Sequence, residues 1–273
     1  MTAPLKDRGG VSATVRRALR DAFGLWPMHE AKNRITLGKR LPELRAFEDA
    51  QVARLRTAVG DRPETLVTTV MPTFKRPKLL PDAVESALAQ TVTDQLVIVV
   101  DDGGGLPALP DDPRLVAVSL ARNSAVLGLV RNVGIRLTRS RYIAFLDDDN
   151  TWREDHLAHA LTALGRGADL VYSAVERRRA DGTVLDVLSE PFDRKTMADD
   201  SPYVDSNSIV LRRSDDVLFS RLPRVKATLP KEDWEFVYRM AKTRVVAHVP
   251  EPTVRYLVNE ASYYTTWQPE QPQ

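Results

Sequence analysis

QLVIVV (residues 95–100), followed at once by Asp101-Asp102-Gly103-Gly104, is the stretch on which the fold turns. Five consecutive apolar residues after Gln95, stopping dead at charge and glycine, read as a strand covered on both faces. Such strands belong to parallel sheets flanked by helices. The neighbouring segments keep the alternation. Upstream, VTTVMP (67–72) is a short β-branched run, and Pro81 to Gln90 predicts a helix carrying Val84, Ala87 and Leu88. Downstream come a third strand in RLVAVSL (114–120), a helix over Leu127 to Thr138, and a fourth strand in YIAFLDDDN (142–150) that ends in carboxylates. A helix from Glu154 to Leu164 then leads into the strand DLVYSAV (169–175). The expected class is α/β, with a mostly parallel sheet.

The pattern loosens toward the C-terminus. DGTVLDVLS (181–189) predicts a hairpin about Asp181-Gly182, NSIVLRR (207–213) a strand, and KEDWEFVYRMA (231–241) a helix. RVVAHV (244–249) and TVRYLV (253–258) read as two late strands, and TTWQPEQPQ (265–273) as a mobile tail. The first sixty residues read as a helical extension. Val15, Leu19, Phe23 and Trp26 fall at helical spacing with Arg16, Arg17 and Arg20 on other faces, and a second helix runs from Pro42 to Val59.

With 273 residues, 43% hydrophobic and 28% charged, the chain has the balance of an ordinary globular protein, not of a disordered or fibrous one. Cysteine is absent, which excludes disulfides, thiolate metal sites and cysteine nucleophiles. No apolar run approaches the roughly 20 residues of a membrane span, and MTAPLKDRGG lacks a signal-peptide core, so a soluble cytoplasmic enzyme is expected. The net charge of +2 hides an asymmetry: residues 1–60 carry +6 and the remainder −4. Arginine outnumbers lysine 30 to 9 without the clustered basic excess of a nucleic-acid domain, so no nucleic-acid partner is expected.

Ligands of open α/β sheets bind beyond the carboxyl ends of the strands. Three such ends carry chemistry here: Pro72-Thr73-Phe74, Asp101-Asp102 and Asp147-Asp148-Asp149. An aromatic ring can stack on a base while a carboxylate accepts its hydrogen bond; the competing reading of Asp102 is a simple cap on the turn with Gly103. Carboxylates two apart on a strand point to one side, and three adjacent like charges repel unless a cation joins them. Mg²⁺ or Mn²⁺, bridging carboxylate and diphosphate oxygens, suits that arrangement; a solvated acidic loop is the alternative. The glycines at 103–105 do not form G-x-G-x-x-G and no helix follows them, so dinucleotide binding is disfavoured. No Walker A sequence occurs. The four histidines include no HExxH, and His156 and His159, three apart, read as a surface pattern.

VMPTFKRP (70–77), VIVVDDGG (97–104), VRNVGI (130–135), YIAFLDDDN-x-W (142–152) and KEDW (231–234), in that order, resemble the family 2 glycosyltransferases with the GT-A fold. The resemblance spans about residues 66 to 260. The basic helical extension over 1–60 falls outside it; for the rest it implies a nucleotide-sugar-binding half over 61–150 and an acceptor-binding half with the catalytic base over 151–273. Pro72, Thr73 and Phe74 match the loop that holds the base, with Arg76 beside it, and Asp102 the aspartate that bonds the base, commonly uracil. Arg131 matches a basic position near the diphosphate. Asp149 matches the direct metal ligand, with Asp147 in the same region and Asp148 nearer the donor ribose or sugar. Asp233 matches the catalytic base, with Glu232 as its rival. Trp152, Asp205, Asn207 and Trp234 are candidates to line the acceptor, although a helical tryptophan is also a core residue and Asp205-Ser206-Asn207 also reads as a turn. A third metal ligand is not evident; His248 and RYLVNEAS (255–262) are candidates.

The implied reaction is metal-dependent, inverting transfer of one sugar from a UDP-sugar, such as UDP-GlcNAc or UDP-Glc, to a hydroxyl or amine. The acceptor is a small molecule, as in natural-product biosynthesis, a carrier-protein-bound intermediate, or an envelope glycan. The Q-x-x-R-W motif of processive members is absent, which favours a single transfer. Two other readings stand beside it. A sugar-phosphate nucleotidyltransferase needs a glycine-bearing loop after the first strand, where this chain has PTFKRPKLL. An inactive GT-A binding module is disfavoured by Asp149 and Asp233. The basic extension either covers the catalytic domain, lies on an anionic membrane, docks an acidic carrier protein, or pairs with a second copy in a homodimer.

Overall fold

In a computed structural model of the chain, which describes residues 18, 22–62, 64–199, 203–225 and 227–258, the apolar run forms strand β2 (Gln95–Asp101), buried along its whole length. Its side chains divide by parity. Leu96, Ile98 and Val100 enter one apolar cluster while Val97 and Val99 enter the other. Helices cover both faces, which is why the strand carries no polar alternation.

β2 lies parallel to β1 (Thr65–Thr73) and β3 (Leu115–Ser119), and β1 lies parallel to β4 (Ser140–Phe145). Two helices fill these crossovers: α3 (Leu80–Leu88) on one face and α4 (Leu127–Leu137) on the other. α4 packs tightly enough that a Cβ on Gly134 would come within 2.6 Å of Val70 Cγ1, so glycine is required there. Beyond β4 the sheet becomes mixed. It continues through β8 (Ile209–Arg212), β6 (Leu170–Arg178), β9 (Val246–Leu257) and β5 (Thr151–Trp152), with β7 (Val184–Leu188) hairpinned onto β6. α5 (His156–Gly165) precedes β6, α6 (Arg194–Asp199) follows β7, and α7 (Glu232–Met240) lies between β8 and β9.

The two predicted late strands are a single strand, β9, which stays parallel to β6 through two register shifts near Ala174. Pro250 and Pro252, in the gap between the two predicted strands, sit inside it at the shifts, where ladder hydrogen bonds are already interrupted. The β6–β7 hairpin turns about Asp181-Gly182 as expected, with Gly182 at φ +86°. β5 and α6 carried no sequence signal.

The described part of the extension forms α1 (Leu25–Leu37) and α2 (Leu41–Val59), joined by a 3₁₀ turn. The predicted apolar stripe stops short. Gly24, at φ +86° and so close to Ala198 that a Cβ would sit 2.6 Å from that side chain, precedes α1, and Phe23 is exposed. Val15, Leu19, Arg16, Arg17 and Arg20 lie outside the described residues, as does the tail at 265–273. α2 buries Leu44, Val52, Leu55 and Val59 in the α4-side core. In the same interface Glu48 is fully buried. Its carboxylate accepts from Arg221 at 2.6 and 2.7 Å, from Arg136 at 2.8 Å and from Asn132 at 3.2 Å. Glu48→Ala should therefore destabilise the fold by about 2 kcal/mol in urea unfolding; the loss stays moderate because Arg136 and Arg221 are partly exposed and can turn to water.

Candidate active site

β2, β1 and β4 are parallel neighbours, so their carboxyl ends emerge at one edge. That brings Asp102, Thr73-Phe74 and Asp147–Asp149 together around a cleft of about 660 Å³, closed on the far side by Leu222, Arg224, Lys231 and Glu232. Asp101 and Asp102 divide the work at the end of β2. Asp101 caps the glycine turn, accepting from the N–H groups of Gly104 and Gly105, each at 2.9 Å. Gly103 is at φ +75°, and a Cβ there would strike the Arg122 backbone at 2.6 Å. Asp102 instead reaches across to the N–H groups of Ser124 at 2.7 Å and Ala125 at 3.2 Å, and burial pushes its carboxyl up from the ordinary range. Ala125 holds a positive φ of 54° at that contact. Phe74 is half-exposed on the cleft wall, with the Lys75 ammonium 5.2 Å from its ring. Pro72 completes this end.

The acidic strand end is held from all sides. Thr73 Oγ1 donates to Asp148 Oδ2 at 2.6 Å, and burial raises the Asp148 pKa to about 6. Arg76 lies against Asp149 at 2.9 Å, at the middle of the cleft. Burial and the Asp147 charge nevertheless keep the Asp149 carboxyl above its usual range. Asp147 takes Arg131 Nη2 at 2.6 Å and Asn207 Nδ2 at 3.2 Å, while its own N–H donates to Asn207 Oδ1 at 2.5 Å.

Several residues expected in the cleft lie behind its wall. Arg131 does not line the cleft: its side chain is 1% exposed, seated over the Phe219 ring at 4.9 Å, because α4 turns this face down onto the sheet. Its guanidinium bonds Asp147 and Ser206, the latter at 2.9 Å, and lies 3.6 Å from Glu232. Burial opposes the charge, but Asp147 and Glu232 outweigh it and raise the pKa. Asp205 and Asn207 are likewise buried, in a 3₁₀ turn. Asp205 accepts from Asn207 N at 2.8 Å and Nδ2 at 2.6 Å, so the pair clamps Asp147 from below and does not line an acceptor site. Asp205 is raised to about 6 by burial and by Asp147. Trp152 and Trp234 are core residues; their indole N–H groups donate to Asn207 O at 2.8 Å and Met197 O at 2.6 Å. His156, expected at the surface, is buried, stacked on Trp152 at 4.2 Å, bonded to Thr253 Oγ1 at 2.8 Å, and lowered to about 3 by burial.

At the start of α7, Glu232 lines the cleft and Asp233 lies behind it. Burial and the charges of Glu232 and Asp205 raise Asp233 to about 7, against the Trp234 N–H that donates to Oδ1 at 2.7 Å. Arg224, which no sequence signal marked, lines the same wall. It is held by Glu30 of α1 at 2.6 Å and by Pro230 O at 2.7 Å, so the extension braces a loop of the cleft.

A divalent cation fits this donor set in part. The carboxylates are hard oxygen ligands in mutual repulsion, yet no cluster of three metal-ligating side chains exists among the described residues. His248 bonds Ser189 at 3.3 Å and does not line the cleft. Arg255 lines a neighbouring pocket, and residues 259–262 lie outside the described residues. Any cation would take Asp149, with Asp147 nearby, and complete its shell from diphosphate and water.

A mixed α/β sheet with Thr73-Phe74 and Asp102 at neighbouring strand ends, an acidic strand end beside them and a carboxylate-headed helix at the cleft has the GT-A fold. The glycosyl transferase family 2 model matches residues 68–203, and the chain belongs to that family. Succinoglycan biosynthesis protein ExoO of Rhizobium meliloti is 37% identical over 130 residues, 45% of this chain and 37% of that one. The teichuronic acid biosynthesis glycosyltransferase TuaG of Bacillus subtilis, itself a putative assignment, is 30% identical over 129 residues, 44% of this chain and 51% of that one. This chain thus spans about half or less of the length of these relatives. Among solved structures, Staphylococcus aureus TarS 1–349 in complex with UDP-GlcNAc superposes with a TM-score of 0.55 at 17% identity, covering 74% of this chain and 61% of that one. A mannosyltransferase of Pyrobaculum calidifontis, in complex with GDP-Man and Mn²⁺, gives 0.50 at 14% identity, over 85% and 70%. No described helix is long and apolar enough to cross a membrane.

Proposed function

We propose that the chain transfers one sugar, with inversion, from a UDP-sugar to a hydroxyl or amine of a glycan, carrier-bound or small-molecule acceptor. The observation that carries this reading is the order of groups along one cleft: Phe74 and Asp102 for the base, Asp147–Asp149 for ribose and diphosphate, then Glu232 with Asp233 behind it. TarS, which shares the fold, binds UDP-GlcNAc, and this supports a UDP-sugar.

Phe74 offers its ring face to the uracil, and Asp102, already held by two backbone N–H groups, keeps lone pairs for the base N–H. Asp148, oriented by Thr73, faces the ribose or sugar. Mn²⁺ or Mg²⁺ bound at Asp149 would supply charge neutralisation for the departing diphosphate. Arg76 holds Asp149 in place and adds a cation at the same point. Asp233 takes the proton from the acceptor; a carboxyl held near pH 7 is a stronger base than an ordinary aspartate, and it becomes fully ionised only above neutral pH. Glu232 lines the cleft beside Asp233 and lies 3.6 Å from Arg131. Displacement then runs in line, with base and leaving group on opposite faces of the sugar ring.

Calorimetric titration of UDP, GDP and dTDP with and without Mn²⁺, on wild type and Asp149→Ala, tests the donor reading. UDP should bind most tightly, by about tenfold or more over the others. The variant should lose the Mn²⁺-dependent part of its affinity. No nucleotide binding under any condition would sink the enzyme reading and favour an inactive binding module.

A further inference from the structure

On the other side of Asp149 lies a second pocket, of about 240 Å³, built from the β6–β7 hairpin, β9 and the segment after the acidic strand end. Asp149 lines both this pocket and the donor cleft, and the next residue, Asn150, lines this pocket and accepts through Oδ1 from Leu257 N–H at 2.9 Å, which ties that wall to β9. Three guanidinium groups line the pocket: Arg178, Arg179 and Arg255.

Their neutralisation is graded along the sequence Glu176-Arg177-Arg178-Arg179. Arg177 is buried on Asp186, and Arg178 pairs with Glu176. Arg179 and Arg255 form no ion pair among the described residues, and both are exposed. Both are anchored through their backbones. Arg179 N–H donates to Thr183 O and its carbonyl accepts from Gly182 N–H, each at 2.9 Å, in the hairpin turn. Arg255 stands in β9, in register with Glu176 on one side and Thr151 on the other. Asp82, on the first turn of α3, is a rim carboxylate in the same pocket, and Asp149 is already taken by Arg76. Asp181, in the same turn as Arg179, adds a nearby negative charge without forming an ion pair. Two guanidinium forks on ordered backbone, with no carboxylate at ion-pair distance among the described residues, match the planar bidentate geometry of phosphate or carboxylate. The donor diphosphate belongs to the opposite side of Asp149, so a second anion here comes from another molecule.

We propose that this arginine pocket is an acceptor subsite that holds a phosphate or carboxylate of an anionic acceptor beside the donor cleft. The assignment rests on the donor reading for its place in the reaction. Arg179 and Arg255 would select a charged acceptor over a neutral one and raise its local concentration at the mouth of the cleft.

The test uses the full chain with UDP and Mn²⁺ saturating the donor cleft, so that added anions cannot enter it. Glucose 1-phosphate, glucuronate and glucose are then titrated by calorimetry against wild type, Arg179→Ala/Arg255→Ala and Arg179→Glu/Arg255→Glu. The first two probes separate phosphate from carboxylate; glucose is the neutral control. At least one anionic probe should bind wild type while glucose does not. The alanine pair should weaken it by about tenfold or more, and the glutamate pair should abolish it. The UDP Kd should stay within about twofold in both variants, which also shows that they are folded. Absence of anion binding to UDP-loaded wild type, or equal binding to all three proteins, would overturn the subsite while leaving the donor reading intact. Failure of wild type to bind UDP would instead overturn the donor reading, and with it the subsite's place in transfer.

Discussion

Asp233→Asn should reduce sugar transfer by about 10²–10⁴-fold while leaving UDP affinity unchanged, because in the proposed reaction it removes the proton acceptor and nothing that touches the donor. The same substitution should make the protein more stable at pH 8. In the folded chain burial and the neighbouring Glu232 and Asp205 hold this carboxyl near pH 7, far above its value in the unfolded chain. Between about pH 4 and 7 the folded state therefore binds a proton that the unfolded state has released. Stability contributed by that proton is present at the low end and lost as pH rises. Asparagine keeps the acceptor for the Trp234 N–H and carries no charge, so it should gain on the order of 2 kcal/mol at pH 8 and little at pH 4.5. Thermal melts at the two pH values read the difference directly. In wild type, kcat/KM should rise through about pH 7 and then level. Glu232→Gln provides the control: if it abolishes transfer and Asp233→Asn does not, Glu232 is the base.

Removing Arg131 should be the most damaging change to the fold of the site. This one buried guanidinium faces Asp147 and Glu232 directly and offsets the charges of Asp205 and Asp233 nearby. Arg131→Met keeps the apolar stem over Phe219 but leaves the carboxylates without their cation, which should cost about 3–5 kcal/mol at pH 8. The loss should shrink toward pH 5.5, because Asp205 and Asp233 are raised to about 6 and about 7 and both take up protons in that window. Denaturant unfolding at both pH values checks this. Equal losses at pH 8 and 5.5 would mean that packing over Phe219, not charge, is what Arg131 supplies.

Arg131 also marks where reading the chain residue by residue stops being informative. In VRNVGI it is a basic residue beside a strand end, and a diphosphate is a natural partner for it. Which face of α4 it occupies depends on how that helix is rotated against β1 and β2, and Gly134 sets that rotation by its contact with Val70. Asp205, Asn207 and Trp152 follow the same rule. They approach Asp147 or each other across 55 to 60 residues of sequence, and burial turns candidate acceptor contacts into supports for the acidic strand end. Arg224 and Arg179 have no local signal, because they lie in an irregular loop and a hairpin turn; Arg255 is marked only as the start of RYLVNEAS, a candidate for completing a metal site.

The local sequence alone determined the parallel half of the sheet, the strand ends that bear chemistry, and the helix headed by Glu232 and Asp233. Apolar runs buried on both faces and abrupt stops at charge are properties of short stretches of chain. Tertiary structure alone decided which carboxylates face the cleft and which face Arg131, that the extension braces the cleft wall through Glu30 and Arg224, and that β9 is one strand. Those outcomes depend on burial and on charges brought together from distant segments, and burial is a property of the packed molecule, not of any stretch within it.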